Sequence, residues 1–330
     1  MQLGIIRWIS ILAVLAVIAV TGSGFFGYAK FSQPGPSLSN RAVVIPNGLG
    51  VDAIAELLRS NGIIQYPVLL RIGARLYEPE APLKAGEFTF PKGVSARRVL
   101  DILRHGKTVV RRLTVAEGLT TQEIRARLSA TEGLRGALPA EFGEGEFLPE
   151  TYHFSYGDSR KEIVRRMREA MARAIEKLWL RRAPDLPLNN PAEAVVLASI
   201  IEKETGLAEE RARVAGVFIN RLRRGMRLQS DPTVVYALTG GRGELGRRLT
   251  HADLKHPDPY NTYMHKGLPP GPIANPGLAA LEAALNPAET GDLYFVADGK
   301  GGHIFARTLK AHNRNVRRWR RLQKDRQTGR

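Results

Sequence analysis

The chain has 330 residues, 43% hydrophobic and 25% charged, the make-up of a folded protein and not of a disordered one. Its formal net charge of +17 calls for an acidic partner: nucleic acid, anionic lipid or an anionic polymer. It has no cysteine, which excludes disulfides, thiolate metal sites and a lipid-modified cysteine.

From Trp8 to Gly27 runs an uncharged, largely apolar stretch about as long as a hydrocarbon core requires. It exceeds the usual apolar region of a cleaved signal, and Gly27-Tyr28-Ala29 is a poor cleavage site, so an uncleaved anchor is expected. Arg7 before the span and Lys30 after it give a weak orientation signal. With so short a leading flank, the N-terminus is expected to stay cytoplasmic and the rest to be exported. Residues 31–40, rich in Pro, Gly and Ser, read as a linker.

Three related segments follow: VVIPNGLGVDAIAELL, FTFPKGVSARRVLDIL and LTVAEGLTTQEIRARL. They align on Gly48, Gly93 and Gly118, with Ile54, Val99 and Ile124 at one common offset and Leu58, Leu103 and Leu128 at the next. Each reads as strand, turn, helix, with Ser95 and Thr120 at N-cap positions and Glu123 completing a capping box. These modules either only pack on one another or grip a substrate.

The segment from Glu146 to Tyr152 reads as a crossover, and a helix is expected from about Ser159 to Arg181. The next helix begins at Asn190-Pro191 and is nearly all apolar until Glu202 and Glu204. A carboxyl at the mouth of such a helix loses hydration, which raises its pKa toward what a general acid needs. The other reading is a solvated helix end. Glu202 and Glu204 lie about 200° apart around a helix, so one cleft does not receive both. A further helix spans 208–224, a Pro- and Gly-stiffened loop covers 258–275, a short helix covers 277–285, and a hairpin pairs 293–296 with 303–305.

No histidine spacing suggests a metal site, and there is no phosphate loop, dinucleotide fingerprint or nucleophile elbow, so no cofactor is expected. What remains is carboxylate chemistry beside Asn220, Gln229, Asp231, Tyr260, Asn261 and Tyr263, amides and aromatic faces that suit sugar rings. Asp231 is the first candidate for a second carboxylate. For each of these residues a local role stands beside the binding one: Asp231 as a helix cap, Asn261 as a brace of the proline loop.

In order, LASIIEKETG, VAGVFINRLRRGMRLQSDPTVVYAL, YNTY, GLPPGPIANPG and LYFVADGKGGHIFA resemble the endolytic murein transglycosylase (MltG/YceG-like) family. The resemblance implies an α+β chain: a cytoplasmic stub and anchor (1–30), the linker (31–40), a LysM-like repeat subdomain (41–130), a mixed helical and β catalytic domain (131–315) and a basic tail (316–330). It implies a single-pass inner-membrane lyase with its catalytic part in the periplasm. The glycan strands of peptidoglycan would be its substrate, with wall-synthesis enzymes as possible partners. Glu202 matches the family's catalytic acid, which would cut the bond between N-acetylmuramic acid and N-acetylglucosamine and leave a 1,6-anhydro end. Asn220, Gln229, Asp231, Tyr260, Asn261 and Tyr263 match family motif positions and are candidates for holding the glycan. Alternatives are a muramidase that adds water and a non-catalytic wall-binding scaffold. Nucleic acid binding conflicts with export. The ten Lys and Arg from Arg307 to Arg330 are expected to meet anionic lipid or wall polymer instead.

Overall fold

The three glycines that align the repeats all take positive φ, +83° at Gly48, +63° at Gly93 and +75° at Gly118, a backbone region that side chains other than glycine enter at a cost. Each therefore forms the turn between a strand and a helix. In this computed structural model, which describes residues 2–327, the strands are β1 (Arg41–Ile45), β2 (Gly86–Phe90) and β3 (Val110–Thr114). The helices that follow them are α2 (Val51–Ser60), α4 (Ala96–His105) and α5 (Thr121–Ala130). The aligned apolar positions Ile54, Leu58, Val99, Leu103, Ile124 and Leu128 are all buried. Ser95 caps α4, and Thr120 and Glu123 form the expected capping box on α5.

The chain is mixed α+β, with eleven α-helices and three two-stranded sheets among the described residues. It divides into two units, residues 1–111 with 153–158, and residues 112–152 with 159–330. The first unit opens with α1 (Gln2–Ser32), the one described helix long and apolar enough to cross a membrane, over Ser10–Ser32. β1 and β2 pair antiparallel, from Arg41 opposite Phe90 to Ile45 opposite Gly86. Between them come α2 and α3 (Pro67–Leu76). Phe88, Phe90, Ile45, Leu58, Leu70 and Leu103 make the core, with Phe31 from the end of α1 buried against it.

The second unit contains the third strand–turn–helix module. It continues through a long irregular segment, in which Phe147 is fully buried, as far as Tyr152; β4 (Thr151–Ser155) pairs with β3. Then follow α6 (Arg160–Trp179), α7 (Pro191–Glu204), α8 (Ala208–Arg223), α9 (Asp231–Thr239) and α10 (Leu278–Leu285). The expected hairpin is present as β5 (Tyr294–Ala297) and β6 (His303–Ala306), and α11 (Leu309–Gln327) packs against it. Residues 316–327 of the basic tail are thus helical. α7 is buried on every side from Ala194 to Ile201 and packs between α8 and α10, with Leu197, Ile200, Val214, Phe218 and Leu281 at the centre. The all-apolar pattern of α7 follows from that central place.

Candidate active site

α7 starts where its sequence says it starts. Asn190 accepts the N–H of Glu193 at 3.0 Å, Pro191 occupies the first turn, and Glu193 reaches back to the N–H of Asn189 at 2.8 Å. Its last turn delivers Glu202 to the Gly118 turn of the third module. A Cβ on Gly118 would lie 3.5 Å from Cγ of Glu202 and 3.5 Å from Cδ of Lys203, so the turn and the end of α7 are in van der Waals contact, and it is the φ of +75° that favours glycine there. Lys203 Nζ donates to the Gly118 carbonyl at 3.3 Å.

Asn275, from the Pro-rich loop, ties that turn in place. Its backbone N–H donates to Leu119 O at 2.9 Å, and its carbonyl accepts from Gly118 N at 3.0 Å. The fully buried side chain accepts from Phe147 N and donates toward Leu119 O, Thr121 Oγ1 and Glu144 Oε1 at 3.0 to 3.2 Å. Burial holds the Glu144 carboxyl above the usual range, against the pull of its bonds from Thr121 and Tyr236. Two residues beyond Asn275, the N–H of Gly277 donates to Glu202 Oε2 at 2.8 Å.

Glu202 is half-buried, and burial raises its pKa. The Gly277 N–H opposes that by favouring the carboxylate, the charge of Glu117 reinforces it, and Arg211 and Lys203 oppose it more weakly. Its neighbours Glu117, Gly118 and Lys203 line a cavity of about 790 Å³, together with Thr120, Asp231, Tyr236 and Arg248.

Glu204 points elsewhere, as the helical angle requires. Ser230 Oγ donates to its Oε1 at 2.5 Å, and burial pushes its pKa up to about 7, with the charge of Asp231 adding to the shift. Glu204 lines a second cavity of about 550 Å³ with Gln229, Tyr263, Tyr294 and Trp319. Asp231 lines both cavities and accepts the Tyr263 hydroxyl at 2.5 Å. Burial and that bond together raise the Tyr263 pKa.

Among the sequence candidates, Gln229, Asp231 and Tyr263 therefore come together. Gln229 sits at φ +50° and donates its N–H to Thr262 O at 3.2 Å. Asp231 opens α9, whose N-cap is Ser230. Tyr260 packs its ring 4.8 Å from that of Tyr236, a residue of the first cavity. Asn261 is fully buried: it donates to Leu254 O and His256 O at 3.1 and 2.8 Å and accepts from Tyr263 N. Asn220 lies apart from this group. It donates to Thr290 O and Asp292 O and borders a separate cavity of about 360 Å³.

Sequence reasoning missed Glu117 and Asn275. The one available signal for Glu117 lay in the repeats themselves, where Asn47 and Lys92 precede the other two aligned glycines and an acid precedes Gly118.

The sequence model of the YceG-like family matches residues 43–318. The chain belongs to that family. An endolytic murein transglycosylase of Bacillus subtilis is 32% identical over 304 residues, covering 82% of each chain. One from Streptococcus pneumoniae serotype 2 is 29% identical over 93% of this chain and 64% of its own. Among solved structures, a putative yceG-like protein of Listeria monocytogenes shares the YceG-like fold with a TM-score of 0.51 and 29% identity, over 84% of this chain and 98% of its own.

Proposed function

We propose that this YceG-like protein is an endolytic murein transglycosylase, held by α1 in the inner membrane with its second unit in the periplasm. It cuts nascent glycan strands between N-acetylmuramic acid and N-acetylglucosamine. Glu202, protonated, gives its proton to the bridging oxygen as the bond from that oxygen to C1 of the muramoyl residue breaks. The carboxylate left behind takes the proton of the muramoyl C6 hydroxyl while that oxygen closes on C1. The products are a 1,6-anhydro end and a free N-acetylglucosamine 4-hydroxyl. Glu202 ends as it began, and no water is consumed.

The observation that carries this reading is the setting of Glu202. Burial favours the neutral acid and the Gly277 N–H favours the carboxylate, so the site supports each of the two forms the cycle needs. One residue that serves as acid and then base suffices where the nucleophile belongs to the substrate. Asp231, Tyr263 and Gln229 hold sugar hydroxyls, and Asp231, which lines both cavities, supports a strand path that passes over it. Tyr260 supports the wall residue Tyr236, Asn261 braces the loop that carries Tyr263, and Asn220 stands outside this path. The repeat segment 41–130, by its resemblance to LysM-like repeats, grips the wall polymer.

The test is digestion of purified sacculi by the full chain and by Glu202→Gln. Loss of cleavage with glycan binding retained is expected. Full activity of the variant would overturn the assignment.

A further inference from the structure

The end of α1 is built into the first unit. The buried Phe31 ring stacks on Tyr77 at 5.6 Å between centroids. A Cβ on Gly73 would come within 2.6 Å of the Phe31 ring, so the bare glycine is what lets α3 lie this close. One turn earlier, a Cβ on Gly27 would lie 3.9 Å from Leu69 of α3. The pairs Gly27–Leu69 and Phe31–Gly73 advance four residues in both helices in the same direction. α3 therefore rises beside the last turn of α1, with its N-terminal end at the level of Gly27 and Tyr28.

That level is the edge of the bilayer if α1 crosses it, because Lys30 is the first charge after the apolar run. At this height α3 presents apolar side chains outward, in a stripe of helical spacing. Val68 and Ile72 are each 48% exposed, and Tyr66, just before the helix, is 39% exposed. Leu69 and Gly73 face α1 and Leu70 and Ala74 face the core, so the outward stripe has no partner within the unit. Arg97 donates to the Tyr28 hydroxyl at 3.4 Å and lies over the Tyr77 ring. A guanidinium is thus held at the depth where aromatic side chains and lipid phosphates meet.

We propose that the first two turns of α3, with Tyr66, Val68 and Ile72, rest in the headgroup layer of the leaflet from which α1 emerges, and that Arg97 meets a phosphate of an anionic phospholipid there. The inference rests on α1 spanning the membrane. It makes the first unit a surface-docked body and not a bead on a tether. The occupant is lipid because the anchor sets the height of this face, and apolar side chains flanked by cations match a headgroup layer.

The absence of cysteine makes single labels unambiguous. Full-length chains carrying Val68→Cys, Leu15→Cys or Glu56→Cys, each labelled with an environment-sensitive fluorophore, are reconstituted into phosphatidylcholine vesicles with and without phosphatidylglycerol. The Val68 probe is expected to be quenched by lipids bearing a shallow spin label and shielded from aqueous iodide. The Glu56 probe should be open to iodide and the Leu15 probe quenched from the bilayer interior. Adding phosphatidylglycerol should deepen shallow quenching at Val68, and Arg97→Gln should remove that increment. A Val68 probe as open to iodide as the Glu56 probe, with Leu15 buried, would overturn the docking and leave the anchor standing. A Leu15 probe open to iodide would overturn the anchor and the docking together.

Discussion

The backbone N–H of Gly277 donates to Oε2 of Glu202 at 2.8 Å, joining the Pro-rich loop to the last turn of α7. Oε1 has no hydrogen-bond partner among the described residues. One oxygen is therefore fixed by the backbone, and in the proposed cycle the other is the one that meets the substrate. A backbone donor does not change rotamer, so in the proposed acid–base cycle it offers the carboxyl one fixed partner.

Replacing Glu202 by Gln keeps the Gly277 bond through the amide oxygen but removes the proton that can be exchanged. Cleavage of sacculi should fall by roughly 10²- to 10⁴-fold, the range of general acid–base contributions. The melting temperature should not fall, because the change removes a carboxyl whose pKa burial raises. A variant with wild-type rates would place the chemistry on another residue.

The like charge of Glu117 raises the Glu202 pKa, so it keeps the acid protonated to higher pH. Activity should fall on the alkaline side as Glu202 loses its proton. In Glu117→Gln the raising influence is gone, the Glu202 pKa drops, and the alkaline limb of the pH–rate profile should move to lower pH. A limb that stays in place would mean that it reports some other group.

Glu204 has a pKa of about 7 in the folded protein, against 4.5 for an ordinary glutamate. Between those values the unfolded chain gives up a proton that the folded one keeps, so stability is full below about 4.5 and declines as pH rises toward 7. The loss amounts to about 3 kcal/mol at most, reckoned at 1.36 kcal/mol per unit. Glu204→Gln, which can still accept from Ser230, should flatten this slope and melt higher than the wild type at pH above 7. A slope equal to that of the wild type would remove Glu204 from the account.

Asn261 satisfies the carbonyls of Leu254 and His256 inside the protein. Its replacement by Ala would strand both, at a cost of about 2 kcal/mol or more. A lower melting temperature is expected, with KM unchanged for the molecules that remain folded. An unchanged melting temperature with a raised KM would make Asn261 a glycan contact instead of a brace.

Much of the architecture was legible because it is written in local chemistry. Asn190, Pro191 and the apolar run announce α7, the aligned glycines announce the three turns, and alternating residues around Asp298-Gly299 announce the hairpin. α3 was not legible: Tyr66 caps nothing, Gly73 sits inside the helix, and its reason for being helical is Phe31, more than thirty residues away. The helix of the basic tail was hidden likewise, because its few apolar residues matter only against β5 and β6. In the site, the helix mouth pointed to Glu202. Glu117 reaches it through tertiary packing across some 85 positions of sequence, and nothing local marks that approach. The ring of bonds around Asn275 is equally non-local.

The central claim is that the muramoyl C6 oxygen, and not water, ends on C1. The direct measurement is mass spectrometry of the glycan ends released when the full chain digests sacculi in water enriched in heavy oxygen. The account predicts that every new end is a 1,6-anhydro sugar, one water lighter than a hydrolysed end and free of the label. Reducing ends carrying the heavy oxygen would contradict it and assign the protein to the hydrolases.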